Sequence, residues 1–189
     1  MRSNTESIAV GLQRRDVALL QGLVEQYHYR LTRYLVYLLG KREGVEDLVQ
    51  ETWLRVLERG TTYDGVGRFE PWLFTIAHHV AIDGMRQRRA ISLSSHGGSQ
   101  SAAVRQREVF QGPSPFVLAA RTEDAERLAL SLETLEPDYR EALVLRFQED
   151  LSLQEISAIV GAPVPTVASR IYRSLAKLRE QWKEASHDV

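Results

Sequence analysis

Residues 152–179, SLQEISAIVGAPVPTVASRIYRSLAKLR, constrain the fold more than any other part of the chain, because they read as two helices joined by a tight turn. Ser152 and Glu155 stand three apart ahead of an apolar run. That is the spacing of a capping box, in which each side chain accepts the other residue's unpaired backbone N–H. Ile156, Ile159 and Val160 mark one buried face, and Gly161 permits the left-handed conformation at which helices commonly stop. Pro163 and Pro165 follow, and the second suits the first turn of a new helix, where its missing N–H would be unpaired anyway. Along that helix Val167, Ile171, Leu175, Leu178 and Trp182 fall on the inner face, and Thr166, Ser169, Arg170, Arg173 and Lys177 on the outer one. Short polar groups followed by cations, exposed on a second helix, are what docking into a DNA major groove requires. The alternative is a plain helical hairpin with a solvated charged face. Tight turn and one-sided basicity together favour DNA.

Charge distribution sharpens this reading more than net charge, which is only −1. Residues 123–150 carry nine acids against three arginines, whereas residues 151–183 carry two acids against five bases. Arg86, Arg88 and Arg89 form another basic cluster with no acid between them. Local basic patches in a nearly neutral chain point to DNA contact that is weak without help. The absence of cysteine excludes disulfides, thiol catalysis and sulfur-ligated zinc, and agrees with a reducing cytoplasm. The opening MRSNTESIAVGLQRRD lacks the apolar core of a signal peptide. The longest apolar run, Tyr34–Leu39, is far short of a membrane span, so no membrane insertion is expected.

Helical periodicity organises the rest, and no alternating strand pattern competes with it. Leu20, Val24, Tyr27, Leu31, Leu35 and Leu38 predict a helix ended by Gly40. Val45, Leu48, Val49, Thr52, Val56 and Leu57 predict a second, up to Gly60. After a glycine-punctuated loop at 61–68, a third opens at Glu70-Pro71 and buries Trp72, Leu73, Ile76 and Val80. Residues 91–118, with SLSSHGGSQSAA and GPSP, read as a flexible linker. Beyond it, a helix over 122–135 and another from Pro137, burying Leu143, Val144 and Phe147, lead into the two-helix motif. The expectation is an all-α chain: an N-terminal helical bundle in residues 1–90 and a C-terminal helix-turn-helix domain in 119–189, compact bodies on a tether.

No catalytic constellation is present. His78 and His79 are sequence neighbours and point about 100° apart on a helix, so they cannot chelate one metal as an i, i+4 pair could. There is no glycine-rich phosphate loop and no G-x-S-x-G, so the chain is not expected to be an enzyme and calls for no cofactor or metal. Three other surfaces stand out. Asp47, Gln50, Glu51 and Leu54 share the outer face of the second helix; the plain reading is a solvated acidic stripe. Thr75, His78, His79, Asp83 and Arg86 face outward on the third helix and lead into Arg88 and Arg89; there the plain reading is cations favourably placed on the helix dipole. Tyr63, Asp64 and Arg68 could surround an extruded base, or form only a turn.

The succession EDLVQETWLRVLE (46–58), FEPWLFTIAHHVAIDGMRQRR (69–89), LETLEPDYREALVLRF (132–147) and the helix-turn-helix resembles bacterial sigma factors, and within them the small extracytoplasmic-function (ECF) class that keeps two conserved domains. The resemblance implies region 2 in residues 1–90 and region 4 in 119–189, joined by the linker 91–118. It implies that Asp47, Gln50 and Glu51, with Leu54 on the same face, grip the β′ clamp helices of core RNA polymerase. Trp72, Thr75, Ala77, Asp83 and Arg86 match the segment that melts and reads the −10 element. The open non-template strand is then captured beside loop 61–68. Thr166, Ser169, Arg170 and Arg173, with Lys177 beyond them, match the part that reads the −35 element; the tether would run through the polymerase toward the RNA exit channel, and the implied partner is core RNA polymerase through its β′ and β subunits. His78 and His79 stand where the family often has Arg-Asn, Ala168 where a lysine or arginine is common, and Pro165 where glycine is frequent. Many relatives are held inactive by an anti-sigma protein, which the tether permits here. The implied function is promoter-specific transcription initiation in the bacterial cytoplasm, on the nucleoid when in holoenzyme. The alternative is an ordinary helix-turn-helix regulator with a helical sensing or dimerisation domain, binding paired half-sites as a dimer.

Overall fold

The described residues of the computed structural model, 2–40, 42–95 and 123–185, are helices joined by short turns, with no strand among them. The first half holds α1 (Arg2–Arg14), α2 (Val17–Leu39), α3 (Val45–Arg59), a 3-10 turn at Gly60–Thr62 and α4 (Phe69–Ser95). The second holds α5 (Glu123–Glu133), α6 (Pro137–Phe147), α7 (Leu153–Val160) and α8 (Val164–Ala185).

Helix α1 is absent from the sequence reading, although Ile8 and Leu12 stand one turn apart and are both buried. It packs closely on α2: a Cβ at Gly11 would run into Leu19 Cδ2, so a larger residue there would require the Leu19 side chain to shift. Asp16 caps α2, its Oδ1 accepting from Ala18 N at 2.9 Å and Leu19 N at 3.2 Å. Helix α4 runs to Ser95, so the expected linker start at 91 falls inside a helix. The reason is local: Ile91–Ser95 contain no breaker, and the next glycines are Gly97 and Gly98. The remainder of the expected linker, 96–118, lies outside the described residues.

The helix-turn-helix follows its local signals. Ser152 Oγ accepts from Glu155 N at 3.2 Å, and Glu155 Oε2 accepts from Ser152 N at 2.7 Å, completing the capping box. Gly161 ends α7 at φ 64°, the left-handed region where a Cβ would be strained. Ile156, Ile159, Val167 and Ile171 are buried.

The two helical units pack directly against each other, α6 lying on α2 and α7 on α4. Their apolar residues form one continuous core from Ile8 to Ile171. Wedged between α2 and α8, helix α6 has residues 140–145 buried around its circumference, including Arg140 and Glu141. The expected buried position Phe147 is instead 62% exposed at the end of α6, and Leu57 is 39% exposed on α3. Trp182 is exposed too, because the inner face of α8 has passed beyond the core by that turn.

Candidate functional site

On α3, a strong amphipathic pattern turns Val45, Leu48, Val49, Thr52 and Val56 inward. This leaves Asp47, Gln50 and Leu54 exposed and Glu51 half-buried. Glu51 Oε1 accepts from Arg55 Nε at 2.9 Å, a one-turn pair that raises the guanidinium pKa still further. Arg55 also reaches Asp83 Oδ2 on α4 at 3.8 Å. One arginine therefore ties the acidic stripe to a residue read as a −10 contact. The Glu51–Arg55 spacing was the available signal for it, and the sequence reading missed it.

The loop before α4 is built on an aromatic cluster. Tyr63 is buried, its ring centroid 5.4 Å from both Phe69 and Trp72. Its hydroxyl donates to Gly67 O at 3.3 Å, and burial followed by the nearby Glu70 and Asp64 carboxylates raises the phenol pKa. Tyr63 is thus a core ring supporting the loop, not an open stacking surface beside it. Asp64 Oδ1 accepts from Val66 N at 2.8 Å in a side-chain-stabilised turn. The Thr75 hydroxyl donates to Pro71 O at 2.7 Å, bonding back to its own helix. Trp72 is half-buried, while His79, Asp83 and Arg86 are exposed along α4. Arg88 and Arg89 lie in its final turns, with side chains outside the described set.

Two residues of this surface are turned toward the helix-turn-helix unit. Arg68 NH1 donates to Asp150 O at 2.8 Å. His78 Nδ1 lies 2.7 Å from Glu141 Oε1, which also accepts from Tyr34 Oη at 2.5 Å. Beside them Glu149, with no exposed side-chain surface, receives Arg30 NH2 at 2.7 Å and Arg33 NH2 at 3.3 Å. Arg30 also lies over the Tyr27 ring, 4.9 Å from its centroid. The sequence reading named none of Arg30, Arg33, Tyr34, Glu141 or Glu149 as a site residue. No local pattern could pair them, since they meet only when α6 docks on α2.

On α8 the outer face is as expected. Thr166, Arg173 and Lys177 are exposed, and Ser169 and Arg170 half-buried. A shallow recess lies over its first turns, lined by Tyr139, Pro165, Thr166, Ser169, Arg170 and Arg173. Arg170 NH2 donates to Asp138 Oδ2 at 2.7 Å, and Lys177 Nζ to Thr134 O at 2.8 Å. The first turn of α6 therefore forms one wall of the basic face. Asp138 and Tyr139 lay within the quoted string 132–147 but were not read as part of that surface.

Among the described residues no group of His, Asp and Glu could hold a metal ion, and no helix is long and apolar enough to cross a membrane. The described residues thus present an acidic outer stripe on α3, a long helix α4 behind an aromatic loop and a capped helix-turn-helix. Comparison with known proteins gives the class. Residues 23–91 match the family described as Sigma-70 region 2, and residues 125–178 that described as Sigma-70, region 4. The ECF RNA polymerase sigma factor SigX of Bacillus subtilis is 30% identical over 162 residues, covering 85% of this chain and 81% of that protein. The ECF RNA polymerase sigma factor SigE of Mycolicibacterium smegmatis is 33% identical over 167 residues, covering 88% of this chain and 63% of that one. The solved sigma factor RpoE of Bartonella quintana, in complex with the anti-sigma factor NepR, superposes with a TM-score of 0.66 at 25% identity, covering 86% of this chain and 96% of that one. The chain belongs to the ECF RNA polymerase sigma factors. It binds core RNA polymerase and promoter DNA and directs promoter-specific initiation; it is not a generic helix-turn-helix regulator.

Proposed function

We propose that the work of the sigma factor is divided among three faces of this chain. Asp47, Gln50, Glu51 and Leu54 engage core polymerase. Residues from loop 61–68 along α4 to Arg89 engage the −10 element and its melted non-template strand. Thr166, Ser169, Arg170, Arg173 and Lys177 read the −35 duplex. The observation that carries this division is the recess on α8. Two short polar side chains and two arginines converge there on an open face, which is the equipment of major-groove readout. An acidic stripe on α3, facing away from the core, fits a basic surface of the polymerase and would repel DNA.

In this reading region 2 occupies residues 1–90 and region 4 residues 119–189, and the chain contributes binding rather than a chemical step. It acts in the bacterial cytoplasm. The solved RpoE relative was captured with an anti-sigma protein, and the same kind of partner fits a chain of two packed helical units. Run-off transcription with core polymerase on a promoter library tests the proposal. Initiation from a shared −35/−10 pair is expected; tight binding of palindromic duplex without any response to core polymerase would refute it.

A further inference from the structure

We propose that Asp138, in the first turn of α6, is a positioning residue for −35 recognition: it holds the Arg170 guanidinium in one orientation and so sets how sharply that arginine selects its base. The proposal rests on the reading of α8 as the −35 helix given above. Arg170, Ser174, Lys177 and Gln181 follow one another at steps of four, three and four, so they form a single stripe along α8. Each of them meets the corner between α5 and α6. Arg170 NH2 donates to Asp138 Oδ2 at 2.7 Å, and the Ser174 hydroxyl, bonded to Arg170 O at 2.7 Å, also reaches Tyr139 O at 3.4 Å. Lys177 Nζ donates to Thr134 O at 2.8 Å, and Gln181 Nε2 to Thr134 Oγ1 at 2.9 Å. The corner therefore fixes the rotation of α8 and of the neighbouring stripe Thr166, Ser169 and Arg173 around the recess. Of the four tied residues, only Arg170 also lines that recess.

A carboxylate on a face that approaches duplex DNA repels phosphates and weakens binding to every sequence alike. Asp138 is nevertheless 64% exposed next to Tyr139 in the wall of the recess, while the Arg170 side chain it holds is only 22% exposed. An exposed pair of this kind adds little to stability, so its effect lies outside the fold. What it fixes is direction. A guanidinium selects guanine by laying its planar fork along O6 and N7, and the selection is lost if the fork swings freely toward phosphates. Asp138 occupies one nitrogen of Arg170 and keeps phosphates away from it, which leaves the remaining N–H groups for base edges. The acid thereby lowers the affinity shared by all sequences and raises the preference between them.

Holoenzyme assembled from core polymerase and the full chain tests this. The parent first selects its promoter from a fully randomised library. The −35 segment of that promoter is then randomised alone, and the bound fragments are sequenced. Arg170→Ala is expected to flatten the preference at one base pair, a G·C pair in the parent. Asp138→Ala is expected to reduce preference at that same pair about fivefold, the low end of what one bidentate contact discriminates. The double variant should be no flatter than Arg170→Ala alone, because nothing is left to position. Glu180→Ala, which removes an exposed acid from α8, loses the same charge and should keep the parent profile. If Asp138→Ala lowers helical content, Asp138→Asn replaces it. A uniform gain in binding with an unchanged profile would mean repulsion alone and overturns the positioning role. A loss that persists in the Arg170→Ala background would mean direct contact by Asp138 and overturns it too. A profile that survives Arg170→Ala overturns the reading of Arg170 itself and the proposal with it. Loss in Arg170→Ala without loss in Asp138→Ala overturns the proposal and leaves that reading standing.

Discussion

The imidazole of His78 and the carboxylate of Glu141 meet at 2.7 Å across the junction of the two helical units, although 63 residues separate them in the chain. The same carboxylate accepts the hydroxyl of Tyr34, so one buried acid joins α2, α4 and α6. Tyr34 has no exposed surface, and burial, reinforced by Glu141, holds its phenol pKa well above the ordinary value.

Tyr34 and Glu141 should therefore be energetically coupled. Tyr34→Phe and Glu141→Gln are each expected to cost about 1–3 kcal/mol, because each leaves a buried polar partner wanting. In urea denaturation the double variant should cost less than the sum by about 1 kcal/mol, the mark of a shared interaction.

Alkaline pH should loosen the structure through its phenols. Burial and the adjacent Glu70 push Tyr27 from 10.0 up to about 12, and its hydroxyl donates to Glu70 Oε1 at 3.1 Å. Below the unfolded value both states keep the proton and stability is constant. Between that value and the folded one only the unfolded chain releases its proton, so stability falls as pH rises. Denaturation series from about pH 8 to about pH 11 should show this decline, with a shallower slope in Tyr27→Phe.

Glu51→Arg should leave the fold intact and weaken association with core polymerase by at least about tenfold. Glu51 is half-exposed, and its pair with Arg55 is a surface pair worth about 0–1 kcal/mol. Circular dichroism with a polymerase pull-down separates the two effects. Normal association would remove the acidic stripe from the interface.

Arg170→Ala should weaken binding to the −35 duplex by about 1–3 kcal/mol and relax its sequence preference, with polymerase association unchanged. Asp138→Asn, which frees the same guanidinium from its 2.7 Å partner, should alter preference more than affinity. Fluorescence titration of holoenzyme with matched and mismatched −35 duplexes reads both.

Tyr63→Ala should behave as a core truncation, costing about 3–5 kcal/mol, because the ring packs among Phe69 and Trp72. Tyr63→Phe should retain nearly all stability, since its hydroxyl makes only the 3.3 Å bond to Gly67 O. Thermal melts distinguish this supporting role from a direct stacking contact, for which both variants would melt like the parent.

Much of the fold was legible because its signals are local. The Ser152–Glu155 capping box, Gly161 at the end of α7 and the apolar stripes of α2 and α3 each act within a few residues. The outer faces of α3 and α8 could be read the same way, since facing solvent is what remains when the stripe turns inward. Helix α1 was missed because its stripe is short and interrupted by polar residues. The linker start was misplaced because small polar residues look like a loop when nothing in them breaks a helix. Tyr63 looked exposed because a Tyr-Asp-Gly turn carries no mark of the aromatic cluster beneath it.

The sequence by itself determined the helices, their caps, their inward faces and the order of motifs that places the chain among ECF sigma factors. Only the tertiary structure decided that residues 140–145 of α6 are buried around its circumference, and that Glu141 and Glu149 are buried among Arg30, Arg33, Tyr34 and His78. The physical reason is separation along the chain. Tyr34 and Glu141 lie 107 residues apart, and Arg30 and Glu149 lie 119 apart. No helical period or cap spans such distances. An acid on a short charged helix and another in the turn after it read as solvated until another surface offers arginines and a phenol to receive them.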